Sequence, residues 1–117
     1  MSRIARIVVP GMPHHITQKG NYQQDIFIDD ADRKRYLSLV EEYIKKYGVS
    51  LLSYCLMSNH VHYIAIPKEK DSLAKAFKNA HMRYSQYFNK KVGVFGHLWQ
   101  GRFYSCVLDD IHLMRTA

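Results

Sequence analysis

Cysteine is scarce here: only Cys55 and Cys106 occur in 117 residues, and neither belongs to a CxxC pair. No disulfide framework surrounds them, so a reduced, cytoplasmic chain is expected, with both cysteines serving as small buried apolar residues. Long apolar runs are missing as well. Nothing approaches the roughly 18 residues that a membrane span requires, and Ile7-Val8-Val9 is too short for a secretory signal. Repeats and low-complexity tracts are absent, while an apolar fraction of 47% with 13% aromatics is too rich for disorder. A chain of this length builds one core and not two, so residues 1–117 read as a single domain.

Acidic residues are the remaining shortage, 10 against 17 Lys and Arg, which leaves a net charge of +7 with the histidines neutral. The imbalance is local. Residues 72–108 hold no Asp or Glu, yet carry Lys75, Lys78, Arg83, Lys90, Lys91 and Arg102 together with His81 and His97. Such a stretch is the electrostatic footprint of a polyanion site. Interleaved Tyr84, Tyr87, Phe88, Phe95, Trp99, Phe103 and Tyr104 offer ring faces to unpaired bases, the way single strands are held. Most of these rings also fall at helical or strand spacing, where an aromatic is more often core than base platform. Trp99, beside Gln100-Gly101-Arg102, is the one most open to the functional reading.

The apolar pattern divides the chain into elements. Residues 14–19 form a short strand ended by Gly20-Asn21, and Ile26-Phe27-Ile28 continues as an extended piece. Asp29 and Asp30 offer an N-cap for a helix carrying Tyr36, Leu37, Val40, Tyr43, Ile44 and Tyr47 at helical spacing, stopped by Gly48. Residues 49–57 read as a strand buried on both faces, and residues 60–66 as the next strand, closed by Pro67. A second helix starts near Asp71-Ser72 with Leu73, Phe77, Ala80, Tyr84 and Tyr87 or Phe88 on one stripe, its other face basic. Residues 98–108 supply a last strand, after which Asp109-Asp110 cap a helix that begins at Ile111 and runs to Ala117. This order predicts an α+β, ferredoxin-like (RRM-like) βαββαβ sandwich, with an antiparallel sheet and two helices on one face.

The chemistry concentrates in Ser58-Asn59-His60-Val61-His62-Tyr63. Residues two apart on a strand share a face, so His60 and His62 project side by side while Val61, Tyr63 and Ala65 point the other way. Two neutral imidazoles on a rigid strand are half a divalent-metal site, suited to manganese, zinc, nickel or copper. A third ligand, carboxylate or amide, has to come from elsewhere. Taken alone, HxH equally describes two half-exposed polar strand residues. Ile64 and Ile66 share the histidine face, however, so something should cover it, either the C-terminal helix or a partner chain.

Several spaced segments together resemble a known family. Pro10-Gly11, His14-His15-Ile16-Thr17, Lys19-Gly20-Asn21, Ile26-Phe27, Leu56-Met57-Ser58-Asn59-His60-Val61-His62 and Leu98-Trp99-Gln100-Gly101-Arg102-Phe103 occur in the order found in single-tyrosine transposases of the HUH endonuclease superfamily. The likeness is greatest to the REP-associated tyrosine transposase branch. This resemblance implies a ferredoxin-like catalytic domain that cleaves and rejoins single-stranded DNA, often beside a hairpin, through a 5′-phosphotyrosine intermediate. His60 and His62 would be its metal ligands, with magnesium or manganese as the divalent metal. Lys19, Asn21, Arg83, Trp99, Gln100 and Arg102 are the DNA-contact candidates. Related transposases include dimers with shared active sites, so a homodimer is a further expectation.

The sequence departs from the family pattern where the nucleophile belongs. The family's tyrosine lies on the helix after the last strand, in a motif usually ending Asn-Pro. Residues 109–117 match the approach to that motif and stop, so the tyrosine nucleophile is expected beyond Ala117. The expectation is a domain without the tyrosine helix, able to bind metal and DNA but not to carry out transesterification. Tyr104 is the nearest tyrosine, but on a strand it reads as a packing or stacking residue. His112 reads as a solvent-facing histidine in preference to a substitute ligand. Two other classes compete: a noncatalytic single-stranded nucleic-acid-binding module, and a histidine phosphoesterase built on HxH. The first lacks an aromatic strand of the RNA-binding type. The second lacks another histidine, position 64 being Ile.

Overall fold

The computed structural model describes residues 7–94 and 96–108. Phe95 lies outside the described residues, and so does the whole expected C-terminal helix, from its cap at Asp109 through His112 to Ala117. The expectation of a nucleophile beyond Ala117 therefore falls outside them too. The elements run β1 (His14–Lys19), α1 (Asp30–Tyr47), β2 (Val49–Leu56), β3 (His60–Pro67), α2 (Ser72–Val92) and β4 (Tyr104–Val107), with a single 3-10 turn at Asn21–Gln23. The sheet order is β2-β3-β1-β4 and every pair is antiparallel. This is the ferredoxin-like arrangement that the order of sequence patterns predicts.

Local chemistry explains the helix limits. The Asp29 carboxylate accepts from the Asp32 backbone N–H at 3.1 Å, and the Asp32 carboxylate accepts from the N–H groups of Ile28 at 2.8 Å and Asp29 at 3.4 Å. This reciprocal cap satisfies donors that the first helical turn leaves without partners. α1 ends at Gly48, whose φ of 72° is a left-handed value that side chains resist. At the far end of α2, the Lys91 ammonium reaches back to Asp32 at 2.7 Å and Asp29 at 2.9 Å, and the Tyr87 hydroxyl donates to Asp32 at 2.8 Å. The start of α1 and the end of α2 are therefore pinned together through one buried carboxylate.

The core lies between the helices and one face of the sheet. Strand alternation sends His14, Ile16 and Gln18 of β1 and Val61, Tyr63 and Ala65 of β3 toward the helices, where Tyr36, Leu39, Val40, Leu73, Phe77, Ala80 and Tyr84 meet them. Complete burial of Ile16, Ile26, Leu73 and Phe77 stabilises by about 2 kcal/mol each. One chain of polar contacts crosses this core: Tyr63 hydroxyl to Tyr36 hydroxyl, and Tyr36 hydroxyl to His81 Nε2 at 2.7 Å. His14 is also structural, its Nδ1–H donating to the Met12 carbonyl at 2.8 Å while Nε2 accepts from the Val9 N–H at 3.2 Å.

Three expectations are corrected. β2 is not buried on both faces: Leu52 and Tyr54 are more than half exposed, and the strand stands at the sheet edge, paired only with β3. A continuous apolar run cannot reveal whether a neighbour stands on one side or two. The cysteines follow their strands: Cys55 is exposed on that edge and Cys106 is half-buried. Finally, β4 starts at Tyr104 and not near residue 98. Residues 98–103 run beside the end of β1 through a Gly20–Trp99 bridge and a Gln100 N–H to Lys19 carbonyl bond of 2.8 Å, and Gly101, with φ of 60°, turns the backbone away from a regular ladder.

Candidate metal and nucleic-acid site

The side of the sheet away from the helices carries the other half of each strand's alternation. The register sets His62 opposite Thr17 and His60 opposite Lys19, with His15 opposite Ile64. On the other side of β1, Tyr104 faces Thr17 and Cys106 faces His15. His15, Thr17, Lys19, His60, His62 and Tyr104 thus share one surface by strand parity alone.

Hydrogen bonds orient the imidazoles. Asn59 donates its amide to the Gln23 carbonyl at 3.5 Å, which turns its Oδ1 toward His60 Nδ1 at 2.7 Å. His60 Nδ1 is therefore the protonated nitrogen, and its Nε2 lone pair is free. His62 Nδ1 lies 3.2 Å from the Thr17 hydroxyl and 3.3 Å from His15 Nε2, which engages that nitrogen and leaves Nε2 open. The His15 and His62 rings stack with centroids 5.4 Å apart, and the His60 and His62 rings meet edge-on at 4.7 Å. Burial, and then the nearby His60, His15 and Lys19, hold the His62 pKa below its ordinary value, so it is neutral at pH 7. Two imidazoles whose Nδ1 atoms are engaged, leaving Nε2 open on each, have the donor chemistry of metal ligands. Among the described residues no three His, Cys, Asp or Glu side chains are gathered to hold an ion.

Beside the histidines a cavity of about 500 Å³ is lined by Thr17, Lys19, His62, Gln100, Arg102 and Tyr104. Lys19 and Arg102 have no carboxylate partner among the described residues. An anion entering this cavity meets two uncompensated cations. The Tyr104 phenol is not poised to ionise, because contact with the Cys106 thiol raises its pKa.

The sequence model of a family described as IS200-like transposases matches residues 8–116. The chain belongs to the IS200-like transposase family. Among solved structures, this transposase is similar to a REP-associated tyrosine transposase bound to a REP hairpin. The TM-score is 0.70 at 16% identity, over 99% of this chain and 67% of that one. It also resembles a protein from Deinococcus radiodurans R1 described as a transposase, with a TM-score of 0.67 at 15% identity over 98% of this chain and 92% of that one. No curated protein matches it.

The predicted site residues of this transposase separate into three places. Lys19, Gln100 and Arg102 gather around His62. Asn21 and Trp99 line a different cavity, with Met82, Gln86 and His97, on the other side of residues 98–103. Trp99 packs on His81 and donates its Nε1–H to the His81 carbonyl at 2.8 Å, so much of its ring belongs to the core. Arg83 lies between the helices, bonded to the Tyr43 hydroxyl at 2.9 Å and 3.8 Å from the Glu42 carboxylate. Sequence reasoning misses His15 and Thr17. A β1–β3 pairing is the signal needed, because parity and register then place both residues against His62. No described helix of the transposase is long and apolar enough to cross a membrane.

Proposed function

We propose that this chain is a DNA-binding and metal-holding transposase domain acting on single-stranded or hairpin DNA. The observation that supports the reading most is the pair of open Nε2 atoms on His60 and His62 beside a cavity with two unpaired cations. His60 and His62 hold the divalent cation, magnesium or manganese. When bound, that ion supplies positive charge at the scissile phosphate. Lys19 and Arg102 hold flanking phosphates, and Gln100 offers an amide at the cavity wall. Thr17 and Asn59 keep the imidazoles in the tautomers that ligation requires.

In the complete reaction a tyrosine hydroxyl attacks the phosphate, forming a 5′-phosphotyrosine and releasing a 3′-hydroxyl. No tyrosine among the described residues stands in the family's motif. Incubating the chain with a hairpin oligonucleotide bearing single-stranded flanks, with Mn²⁺, gives binding without a covalent adduct on a denaturing gel. An adduct overturns the reading that no tyrosine among the described residues is the nucleophile. Loss of Mn²⁺ binding in His62→Ala, followed by electron paramagnetic resonance, supports the metal site; unchanged binding sinks it.

A further inference from the structure

Behind residues 98–103, on the helix side of the sheet, lies another cavity of about 500 Å³, bounded by Gln18, Lys78, His81, Trp99, Arg102 and Phe103 among others. Arg102 lines this cavity and the one beside His62, so the two are adjacent across a single side chain. The polar groups of the inner cavity are unusual for a core. His81 is 5% exposed and Gln18 is 3% exposed.

Elementary hydrogen-bond accounting fixes what each presents. In the buried chain from Tyr63 through Tyr36 to His81, the only other direction would leave the Tyr63 O–H without an acceptor. Either direction leaves one donor without a protein acceptor, but the Tyr63 phenol is sealed in the core whereas His81 lines the cavity, where water or a ligand can accept its proton. Tyr63 therefore donates to Tyr36, Tyr36 donates to His81 Nε2, and the imidazole proton sits on Nδ1. No described residue accepts from that Nδ1–H. The Gln18 amide nitrogen sits 3.4 Å from each of the Lys19, Gln100 and Gly101 carbonyls, which sets its orientation and leaves Oε1 without a donor. Neither atom is sealed in, since Ser105 Oγ is the one side-chain polar atom among the described residues that is both inaccessible and unpartnered. The cavity is thus lined by residues that carry an unpartnered donor and an unpartnered acceptor, beside an indole and apolar walls. At its rim Lys78 and Arg102 have no carboxylate partner among the described residues.

We propose that this cavity takes one unpaired nucleobase of the bound DNA strand. His81 Nδ1–H donates to the base edge, Gln18 Oε1 accepts from it, and Lys78 and Arg102 hold the phosphates on either side. A neighbouring acceptor and donor are what a base edge presents. The inference rests on the DNA-binding reading above and adds to it a base-reading pocket apart from the histidines.

Trp99 is the only tryptophan; it lines this cavity and the one with Asn21, and variants at Lys78 and Gln18, which line this cavity and not the other, assign its fluorescence response. Titration of the full chain with each of the four deoxynucleoside 5′-monophosphates gives saturable quenching. Inorganic phosphate and 2-deoxyribose 5-phosphate give none. Lys78→Ala weakens all four nucleotides by a similar factor, at least threefold, and Gln18→Leu, which keeps the buried volume, changes their rank order. Equal quenching by inorganic phosphate, or unchanged titrations in both variants, overturns the proposal. A parallel anisotropy titration with a fluorescent single-stranded oligonucleotide separates the two readings. If the oligonucleotide fails to bind, the DNA-binding reading falls and takes the pocket with it. If it binds with no Trp99 response, only the pocket falls.

Discussion

The molecule has two basic regions, and they differ in where their counter-charges lie. On the helices, Lys75 meets Asp71, Arg83 meets Glu42 and the Tyr43 hydroxyl, and Lys91 meets Asp29 and Asp32. Around residues 98–103, Lys19, Lys78 and Arg102 meet no carboxylate among the described residues. The acid-free stretch looks uniform in sequence, but folding neutralises half of it with acids drawn from outside that stretch. Positive charge that is already paired holds helices together. Only the unpaired charge is available to a phosphate backbone.

This contrast is open to attack at both ends. Asp32→Ala removes the carboxylate on which the cap, Tyr87 and Lys91 converge, and it is expected to cost about 3 kcal/mol in urea unfolding. DNA affinity per folded molecule should not change. Acid should act on the same core. Burial holds the His81 pKa down at about 3, while the unfolded chain takes up that proton near 6.5. The folded-state pKa is the depressed one, so this contribution is fully present above 6.5 and is lost as pH falls toward 3. Stability at pH 5 should be about 2 kcal/mol below that at pH 7, and His81→Phe should flatten that slope. On the sheet side, Thr17→Val removes one of the two partners of His62 Nδ1 and should weaken Mn²⁺ binding about tenfold by calorimetry, with Thr17→Ser retaining most of it. The smallest effect gives the sharpest contrast. Arg102→Ala should lower the dependence of log K on log salt for a single-stranded oligonucleotide by about 0.7, whereas Arg83→Ala should leave it unchanged. Equal slopes would erase the distinction between paired and unpaired cations.

Much of this was legible in residue order. The capping carboxylates, Gly48, the two helical stripes and the parity of His60 and His62 depend on neighbours within a few positions, and such signals survive without knowledge of the fold. What escaped depends on partners far along the chain. The edge position of β2 is set by topology, and its apolar run gives no hint of it. Arg83 looks like any basic helix residue until α1 supplies Tyr43 and Glu42. His15 and Thr17 carry no motif of their own, and they acquire meaning only through pairing with β3. Gln18 was hidden for the same reason: its amide is oriented by carbonyls of Gln100 and Gly101, more than eighty positions away.

The buried run from Tyr63 to Tyr36 to His81 has a consequence beyond packing. Its three hydroxyl and imidazole protons all point one way, because the phenol on β3 has nowhere else to send its own. A strand residue with no place in the pocket wall thereby dictates whether that wall gives or takes a proton. In a Tyr63→Phe chain, Tyr36 is no longer obliged to pass its proton onward, and His81 is free to adopt either tautomer. The cavity would keep its shape and lose its polarity, and with it the ability to tell one base edge from another.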